Sequence, residues 1–235
     1  MAARQALRAV MRRAAQQAAS QAARTAYQAA VAAGTLAPED YTDVGNEHAD
    51  AQARANALAR EMEAACAADP ARCEACEANR GSPVAANWNM SARAAAYQQF
   101  ITGFPRGVEY AYNGVTFDGF WRSVCTLVEA KDNYSHLLNV ETSDGGLFSD
   151  PEIKSVDWSG WVLRQPIPAG EVIKNEFDRQ NAAARPRPPV QLQWHCAQIS
   201  LVIVLSQELE QTAPPASVIY TPNPIHPDPH AGFIK

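Results

Sequence analysis

Two alternating segments around Asn113-Gly114 constrain the fold more than any other feature of this sequence. The stretch GVEYAYNGVTFDGFW (107–121) alternates apolar residues with others on both sides of that pair. An Asn-Gly pair between two alternating runs is the strongest short-range signal for a β-hairpin. The following residues, VCTLVEA (124–130), predict a third strand, which a bend at Arg122 and Ser123 would pair with residues 115–120.

The segment before the hairpin predicts a helix. It reads SARAAAYQQFITG (91–103), with a potential N-cap at Ser91 and a closing glycine at Gly103. A helix followed by consecutive strands indicates an α+β (α/β) chain.

Three charged residues of this predicted sheet suggest a site for metal-dependent chemistry at a phosphate. Glu129 and Lys131 lie two residues apart on one face of the third strand, about 6.6 Å along it, and Asp118 lies on the neighbouring strand. Mg²⁺ prefers oxygen ligands and usually takes one or two protein carboxylates, while a lysine offsets charge on a reacting phosphate. The alternative is structural: Asp118 caps a turn, and Glu129 and Lys131 form an ion pair at a strand end.

Four blocks of the sequence resemble one protein family. They are YQ-x2-ITG-x-P-x-G-x-E (97–109), NGV-x-FDGF (113–120), LVEAK (127–131) and LQWHCAQ (192–198). Together they are similar to the Tox-REase-5 family, which comprises restriction-endonuclease-fold toxin domains of the PD-(D/E)xK type from polymorphic toxins and type VI secretion effectors. The resemblance implies a restriction-endonuclease-like core, which is a small mixed sheet flanked by helices. It also implies a metal-dependent DNase that kills competitor cells and is neutralised by a cognate immunity protein.

The resemblance also implies roles for individual residues. Asp118 and Glu129 would bind Mg²⁺, or Mn²⁺ in its place, and Lys131 would orient the attacking water. The first core helix of the family often adds a glutamate, but this chain has Gln98 and Gln99 there, so the candidate third ligands are Glu109 and Gln99. Asp132 is excluded, because its side chain should point away from that of Lys131.

The block LQWHCAQ is interpreted as a helix, following the resemblance. Helical spacing would place Gln191, Trp194 or His195, and Gln198 along one stripe. His195 is a candidate catalytic residue and Gln193 a second-rank one, although a histidine on an apolar helix is often a satisfied core residue. Trp194 is interpreted as core.

The net charge of −5 gives no overall electrostatic reason to bind nucleic acid. Any such contact must be local, and the basic residues of the catalytic half cluster in one segment. The candidate nucleic-acid-binding residues are Lys174, Arg179, Arg185 and Arg187. Trp158, Trp161 and Arg164 could stack on bases or cover a small core.

The first 30 residues are rich in alanine and arginine and contain no acidic residue, which predicts a helix. The same composition imitates an organelle transit peptide. We favour a helical hairpin in which the second helix spans residues 49–66 and lies outside the catalytic core. A chain without residues 1–62 should therefore keep nuclease activity.

The cysteines leave several alternatives open. Cys66, Cys73 and Cys76 could form half of a zinc site, a disulfide within their loop, or free thiols. Cys125 and Cys196 lie in apolar contexts and are expected to be small buried hydrophobic residues.

The remaining features set the boundaries of the chain's parts. No apolar run is long enough for a transmembrane helix, so membrane insertion is not expected. The proline-rich tail is expected to be extended and weakly ordered. The predicted organisation is a helical region (1–65), a cysteine loop (66–82), the nuclease domain (83–210) and the tail (211–235).

The expected function is that of an antibacterial toxin acting on DNA in the cytoplasm of a target cell after contact-dependent secretion. The expected partners are a cognate immunity protein and a secretion-system delivery protein or chaperone. Two alternatives remain: a catalytically inactive protein-binding module of the same fold, and an RNase that uses the same residues.

Overall fold

A computed structural model describes residues 44–86, 91–143, 152–160, 163–164, 169–185, 188–209 and 216–233. The helix expected over residues 1–30 lies outside these ranges. The elements run in the order α1 (Val44–Ala68), α2 (Pro70–Glu74), β1 (Ser82–Ala85), α3 (Ala92–Thr102), β2 (Val108–Tyr112), β3 (Val115–Phe117), β4 (Gly119–Trp121), β5 (Thr126–Lys131), β6 (Leu138–Ser143), β7 (Glu152–Trp158), α4 (Ala169–Ala183), β8 (Gln191–Cys196), α5 (Ile199–Leu209) and β9 (Ala216–Tyr220).

A four-stranded mixed sheet forms the centre of the described fold. Its strand order is β4-β5-β8-β9, with β4 antiparallel to β5 and the other neighbours parallel. A three-stranded sheet, β1-β2-β3, and a hairpin, β6-β7, complete the strands of the described residues. This mixed α+β architecture confirms the predicted fold class.

The predicted hairpin and the helix before it are both present. Asn113 and Gly114 have φ angles of 49° and 77°, as a tight turn between β2 and β3 requires. In α3 the Ser91 hydroxyl accepts a hydrogen bond from the Ala94 N–H, and Gly103 ends the helix with a φ of 74°. The strand expected over 115–120 is divided into β3 and β4 at Asp118.

The segment LQWHCAQ is not a helix, so that interpretation was wrong. Its residues form β8, which lies between β5 and β9, and the helix begins only at Ile199. Leu192, Trp194 and Cys196 are fully buried. A central parallel strand is covered on both faces and therefore lacks the alternation that distinguishes a strand in sequence.

The two faces of the sheet are covered by different helices. On one face, Tyr97, Phe100 and Ile101 of α3 pack with Val128 of β5. On the other face, α4 lies over β8, where the ring of Phe177 meets that of Trp194 edge-on at 5.2 Å.

Helix α1 includes the helix predicted at 49–66 and packs on the core. Ala51 and Ala55 are 3% and 0% exposed. Leu58 and Met62 pack against the apolar core cluster that contains Ala55. The Arg54 side chain donates a hydrogen bond to the Arg106 carbonyl at 3.1 Å.

Two disulfides resolve the cysteine alternatives. Cys66 pairs with Cys73, which is the disulfide considered for that loop, and Cys76 pairs with Cys125. The expectation that Cys125 is an unpaired buried cysteine was therefore wrong, because its partner lies 49 residues away and only the folded chain brings them together. Cys196 is free and buried, as predicted.

The described part of the proline-rich tail is integrated into the fold, contrary to the expectation of weak order. Strand β9 pairs with β8, and beyond it Asn223 and Asp228 are buried. Asp228 accepts a hydrogen bond from the N–H of Ile199 at the start of α5. Among the described helices, none combines the length and apolar character needed to cross a membrane.

Candidate active site

A cavity of about 450 Å³ opens where α3, β2, β5 and α4 meet. Its walls carry acidic side chains around one lysine, together with polar groups of α3. The lining residues are Ser91, Ala94, Gln98, Glu109, Thr116, Phe117, Asp118, Glu129, Ala130, Lys131, Asp132, Tyr134 and Glu176.

Asp118 occupies the break between β3 and β4 and is held against β5. Its Oδ2 accepts a hydrogen bond from the Ala130 N–H at 2.7 Å, and its carbonyl accepts one from Gln98 Nε2 at 3.2 Å. The next residue must be small: a Cβ on Gly119 would lie 2.6 Å from the Cβ of Thr102 in α3. Close packing of α3 on β4 therefore sets the position of Asp118.

Glu129 and Lys131 project from the same face of β5. Lys131 Nζ lies 2.6 Å from Glu129 Oε1 and 2.8 Å from Glu176 Oε2 of α4. The lysine ammonium also stands 4.9 Å from the centre of the Trp194 ring. The second oxygen of Glu129 accepts a hydrogen bond from Gln180 Nε2 at 2.7 Å.

Burial raises the pKa of both carboxyl groups, whereas neighbouring carboxylates decide the pKa of the lysine. Burial and the nearby Glu129 raise the pKa of Asp118 well above its usual value. Burial raises the pKa of Glu129 to about 7, although the Lys131 ammonium opposes that shift. Burial alone would lower the pKa of Lys131, but Glu129 and Glu176 raise it well above the usual value, so the lysine stays charged.

Of the candidate third ligands, Glu109 lines the cavity and Gln99 does not. Glu109 is 4% exposed, and its charge contributes to raising the pKa of Asp118. The helix α3 presents Gln98 to the cavity, with Nε2 directed at the carbonyls of Val108 and Asp118.

The structure does not bring His195 to the cavity. In the β5–β8 register His195 is opposite Ala130, while Trp194 is opposite Glu129, so His195 faces the other side of the sheet. Its ring nitrogens bond Thr221 Oγ1 at 2.9 Å and Gln193 Oε1 at 3.2 Å. Burial lowers the pKa of His195 to about 4.

The basic candidates are only partly available to a ligand. Lys174 forms an ion pair with Asp178 at 2.7 Å, whereas Arg179 and Arg185 are exposed. Arg187 lies outside the described residues, as does Trp161. Trp158 belongs to the core, and Arg164 is exposed.

Asp132, which was excluded as a ligand, borders the cavity, and its carboxylate is bound by other side chains. Both carboxylate oxygens accept bonds of 2.8 Å from Arg93, and Gln198 and Asn223 add further bonds. These contacts join α3, the end of β5 and the C-terminal segment, so Asp132 is a structural residue.

Sequence reasoning missed Glu176, Gln180 and Tyr134. Tyr134 lines the cavity, and Gln180 accepts a hydrogen bond from Trp194 Nε1 at 2.8 Å while donating to Glu129. The available signal was the spacing of Glu176 and Gln180, which places both on one helix face. The sequence does not show that α4 lies over β5, so the spacing alone could not assign this helix face to the candidate site.

The donor set fits a hard divalent cation. Among the described residues, no three His, Cys, Asp or Glu side chains are arranged as a metal-binding group. Asp118 and Glu129 nevertheless line one cavity, and Mg²⁺ commonly binds through one or two carboxylates with water in its other positions. The oxygens of Glu129 accept bonds from Lys131 and Gln180, but a carboxylate has about four lone-pair sites, so capacity remains.

Comparison with known proteins gives one family. The model of restriction endonuclease fold toxin 5, Tox-REase-5, matches residues 94–199. This range includes α3, the strands that carry the acidic residues, α4 and β8. No curated protein matches the chain. Residues 94–199 are therefore similar to the restriction endonuclease fold toxin 5 family.

Proposed function

We propose that this domain is a divalent-metal-dependent endodeoxyribonuclease that acts as an antibacterial toxin. The observation that carries the proposal is the convergence of Asp118, Glu129 and Lys131 on one cavity. Two acidic residues and a lysine around one cavity supply the groups that metal-assisted phosphodiester hydrolysis requires. The match of residues 94–199 to the restriction endonuclease fold toxin 5 model supports a nuclease toxin.

Asp118 and Glu129 would hold Mg²⁺, or Mn²⁺ in its place, and Glu109, which lines the same cavity, is a candidate third ligand. The bound cation would polarise the phosphate and lower the pKa of a bound water. The cavity itself carries an excess of carboxylates over cations, which repels a phosphate. A cation is therefore needed before the polyanionic substrate can approach closely.

The protein's own groups would orient the reacting atoms. The Lys131 ammonium, held by Glu129 and Glu176, would donate hydrogen bonds to the attacking water or to a phosphate oxygen. Gln180 fixes the Glu129 carboxylate from the α4 side. Arg179 of α4 and Arg185 just after it are exposed and would contact the DNA backbone.

A cell that makes such a toxin must protect its own chromosome. We propose that a cognate immunity protein binds over the cavity and offers acidic groups to Arg179 and Arg185. We also propose that the toxin reaches the target-cell cytoplasm through a contact-dependent secretion system with a delivery protein or chaperone. Raising salt should then slow complex formation more than it speeds dissociation. A complex that leaves the cavity open and active would contradict this mode of inhibition.

Incubation of purified protein with supercoiled plasmid tests the proposed activity. Wild-type protein should nick plasmid with Mg²⁺ and not with EDTA, and Lys131→Ala and Glu129→Ala should abolish nicking while circular dichroism shows a folded protein. Lys154→Ala, a change in β7 away from the cavity lining, is the control. Folded wild-type protein that never nicks at any Mg²⁺ or Mn²⁺ concentration would refute the proposal and favour a binding module. Cleavage of RNA alone from an equal mixture would show an RNase.

A further inference from the structure

The ammonium of Lys131 is held between two structural elements. Glu129 lies on the same strand, β5, whereas Glu176 approaches from α4. The Lys131 side chain is 9% exposed and that of Glu176 is 31% exposed, so Glu176 stands on the solvent side of the lysine. We propose that Glu176 is a positioning residue that keeps Lys131 Nζ directed at the reacting groups; this inference rests on the proposed nuclease function.

Lys131 needs a second anchor because a bound divalent cation would compete with its ammonium for the Glu129 carboxylate. A divalent cation bound to Glu129 would share the carboxylate that holds Lys131 and would repel the ammonium at close range. The lysine side chain has a flexible four-carbon stem and would swing away unless a second group held it. Glu176 lies on a different element and supplies that second anchor.

No neighbour on α4 replaces Glu176 in this role. Asp178 pairs with Lys174 at 2.7 Å on the exposed side of the helix. Gln180 lies one turn farther along; its amide nitrogen donates to Glu129 and its amide oxygen accepts from Trp194 Nε1, so neither group holds the ammonium.

Two substitutions separate positioning from other roles. Glu176→Ala removes the anchor, whereas Glu176→Gln keeps an oxygen that accepts a hydrogen bond from Nζ. We expect Glu176→Ala to lower kcat about 10- to 100-fold with KM unchanged, because misplaced reacting groups cost rate and not affinity. Glu176→Gln should recover most of kcat. Asp178→Ala, which breaks only an exposed ion pair, is the matched control.

A second readout does not depend on activity. The chain has only four lysines, so ¹⁵N spectra of their ammonium groups are readily assigned. With Mg²⁺ present, the Lys131 signal should be ordered in wild-type and Glu176→Gln protein and should lose that order in Glu176→Ala. If wild-type protein has no nuclease activity, the proposed function fails while the spectra still test the anchor. An unchanged Lys131 signal in Glu176→Ala, or Glu176→Gln as inactive as Glu176→Ala, would overturn the inference.

A separate set of contacts ties the N-terminal segment to the start of β5. The disulfide Cys76–Cys125 ends directly before Thr126, the first residue of that strand. Arg72 donates a hydrogen bond to the Ser123 carbonyl at 3.1 Å, and Arg122 donates one to the Met62 carbonyl at 3.4 Å. We call residues 62–76 the strap.

Cys125 also joins the two central strands. Its carbonyl accepts a hydrogen bond from the N–H of Gln191, where β8 begins. Its φ of 53° is a left-handed conformation that a non-glycine residue keeps only when its surroundings hold it. We infer that the strap holds this turn and that a dithiol reductant releases it.

The redox step is thiol–disulfide exchange. A thiolate of the reductant attacks one sulfur of Cys76–Cys125 to form a mixed disulfide, and its second thiolate closes the reductant's own disulfide. The reductant loses two electrons, and Cys76 and Cys125 gain two electrons and two protons. Both cysteines are buried, so the exchange requires local opening.

Paired substitutions test the strap. Dithiothreitol should lower the melting temperature of wild-type protein and speed tryptic cleavage after Arg122. Cys76→Ser/Cys125→Ser should reproduce both changes, and its cleavage after Arg122 should no longer respond to the reductant. Cys66→Ser/Cys73→Ser removes a disulfide of the same segment that does not reach β5, and should change the cleavage after Arg122 little.

If the Cys76→Ser/Cys125→Ser protein does not fold, the test is made by reducing the Cys66→Ser/Cys73→Ser protein, in which Cys76–Cys125 is the disulfide left to break, with the same two readouts. Equal melting temperature and equal cleavage after Arg122 in oxidised and reduced protein, with reduction verified by thiol titration, would overturn the inference. An effect of Cys66→Ser/Cys73→Ser as large as that of the other pair would do so too.

Discussion

Gln180 Nε2 lies 2.7 Å from Glu129 Oε2, and the amide oxygen of the same side chain accepts the Trp194 indole N–H at 2.8 Å. A helix residue thus links a buried carboxylate on β5 to a buried indole on β8. Because an amide both donates and accepts, Gln180 satisfies two strands at once, and its orientation is determined by both.

Gln180→Leu should lower both activity and stability. The substitution leaves Glu129 and the Trp194 N–H without a partner in a buried site, which costs about 1–3 kcal/mol for each unsatisfied group. Nicking rate and urea unfolding measure the two effects. Gln191→Leu, at an exposed position of β8, is the control and should change neither strongly. A Gln180→Leu protein with wild-type stability would contradict the linking role.

Asp118→Asn should abolish nicking and yet raise the melting temperature. The pKa of Asp118 is raised by burial and by Glu129, so its charged form destabilises the fold above the ordinary pKa of an aspartate. A neutral amide removes that penalty at pH 7. Calorimetry in EDTA measures the change, and a lower melting temperature would show that the charge of Asp118 is well compensated.

The stability of the metal-free protein should fall as pH rises through the range set by Glu129. The pKa of Glu129 is about 7 in the folded protein against an ordinary value of 4.5, so the folded form binds the extra proton between these values. The contribution of Glu129 to the free energy of unfolding is therefore greatest below about pH 4.5. It declines by about 3 kcal/mol in total as the pH rises to about 7. Urea unfolding in EDTA across this pH range measures how the free energy of unfolding changes with pH. The Glu129→Gln protein should lack this decline.

His195→Ala should cost stability and leave catalysis in the folded protein. The ring faces away from the cavity, bonds Thr221 and meets the ring of Trp121 edge-on at 5.2 Å. Its loss creates a cavity in a buried layer and leaves the Thr221 hydroxyl unpaired. The rate per folded molecule, with the folded fraction taken from unfolding curves, is the decisive quantity. A loss as large as that for Lys131→Ala would place His195 in the reaction.

Removal of residues 1–62 should lower stability even if activity survives in the folded fraction. The deletion takes away most of α1, including the buried Ala51 and Ala55 and the Arg54 bond to Arg106. Comparison with a chain lacking residues 1–43 isolates the contribution of α1. Melting curves and nicking at low temperature measure stability and activity separately; unchanged melting after removal of residues 1–62 would show that α1 is dispensable.

Local patterns predicted the elements that local physics determines. The Asn113-Gly114 turn, the capped helix α3 and the alternation of β5 follow from steric and hydrogen-bond preferences within a few residues. The same approach failed for β8, where burial on both faces removed the period. It also failed for Cys125, whose partner depends on chain contacts over 49 residues.

The sequence by itself determined the residue types of the candidate site and the relation of Glu129 to Lys131, because two residues of one strand share a face. It also determined that Asp118 would lie near them, since a short bend pairs neighbouring strands. The tertiary structure alone decided that Glu176 and Gln180 complete the site and that His195 does not reach it. Glu176 and Gln180 are separated from their partners by 45 and 51 residues, and only the packing of α4 on one sheet face and α3 on the other assigns each side chain its surroundings.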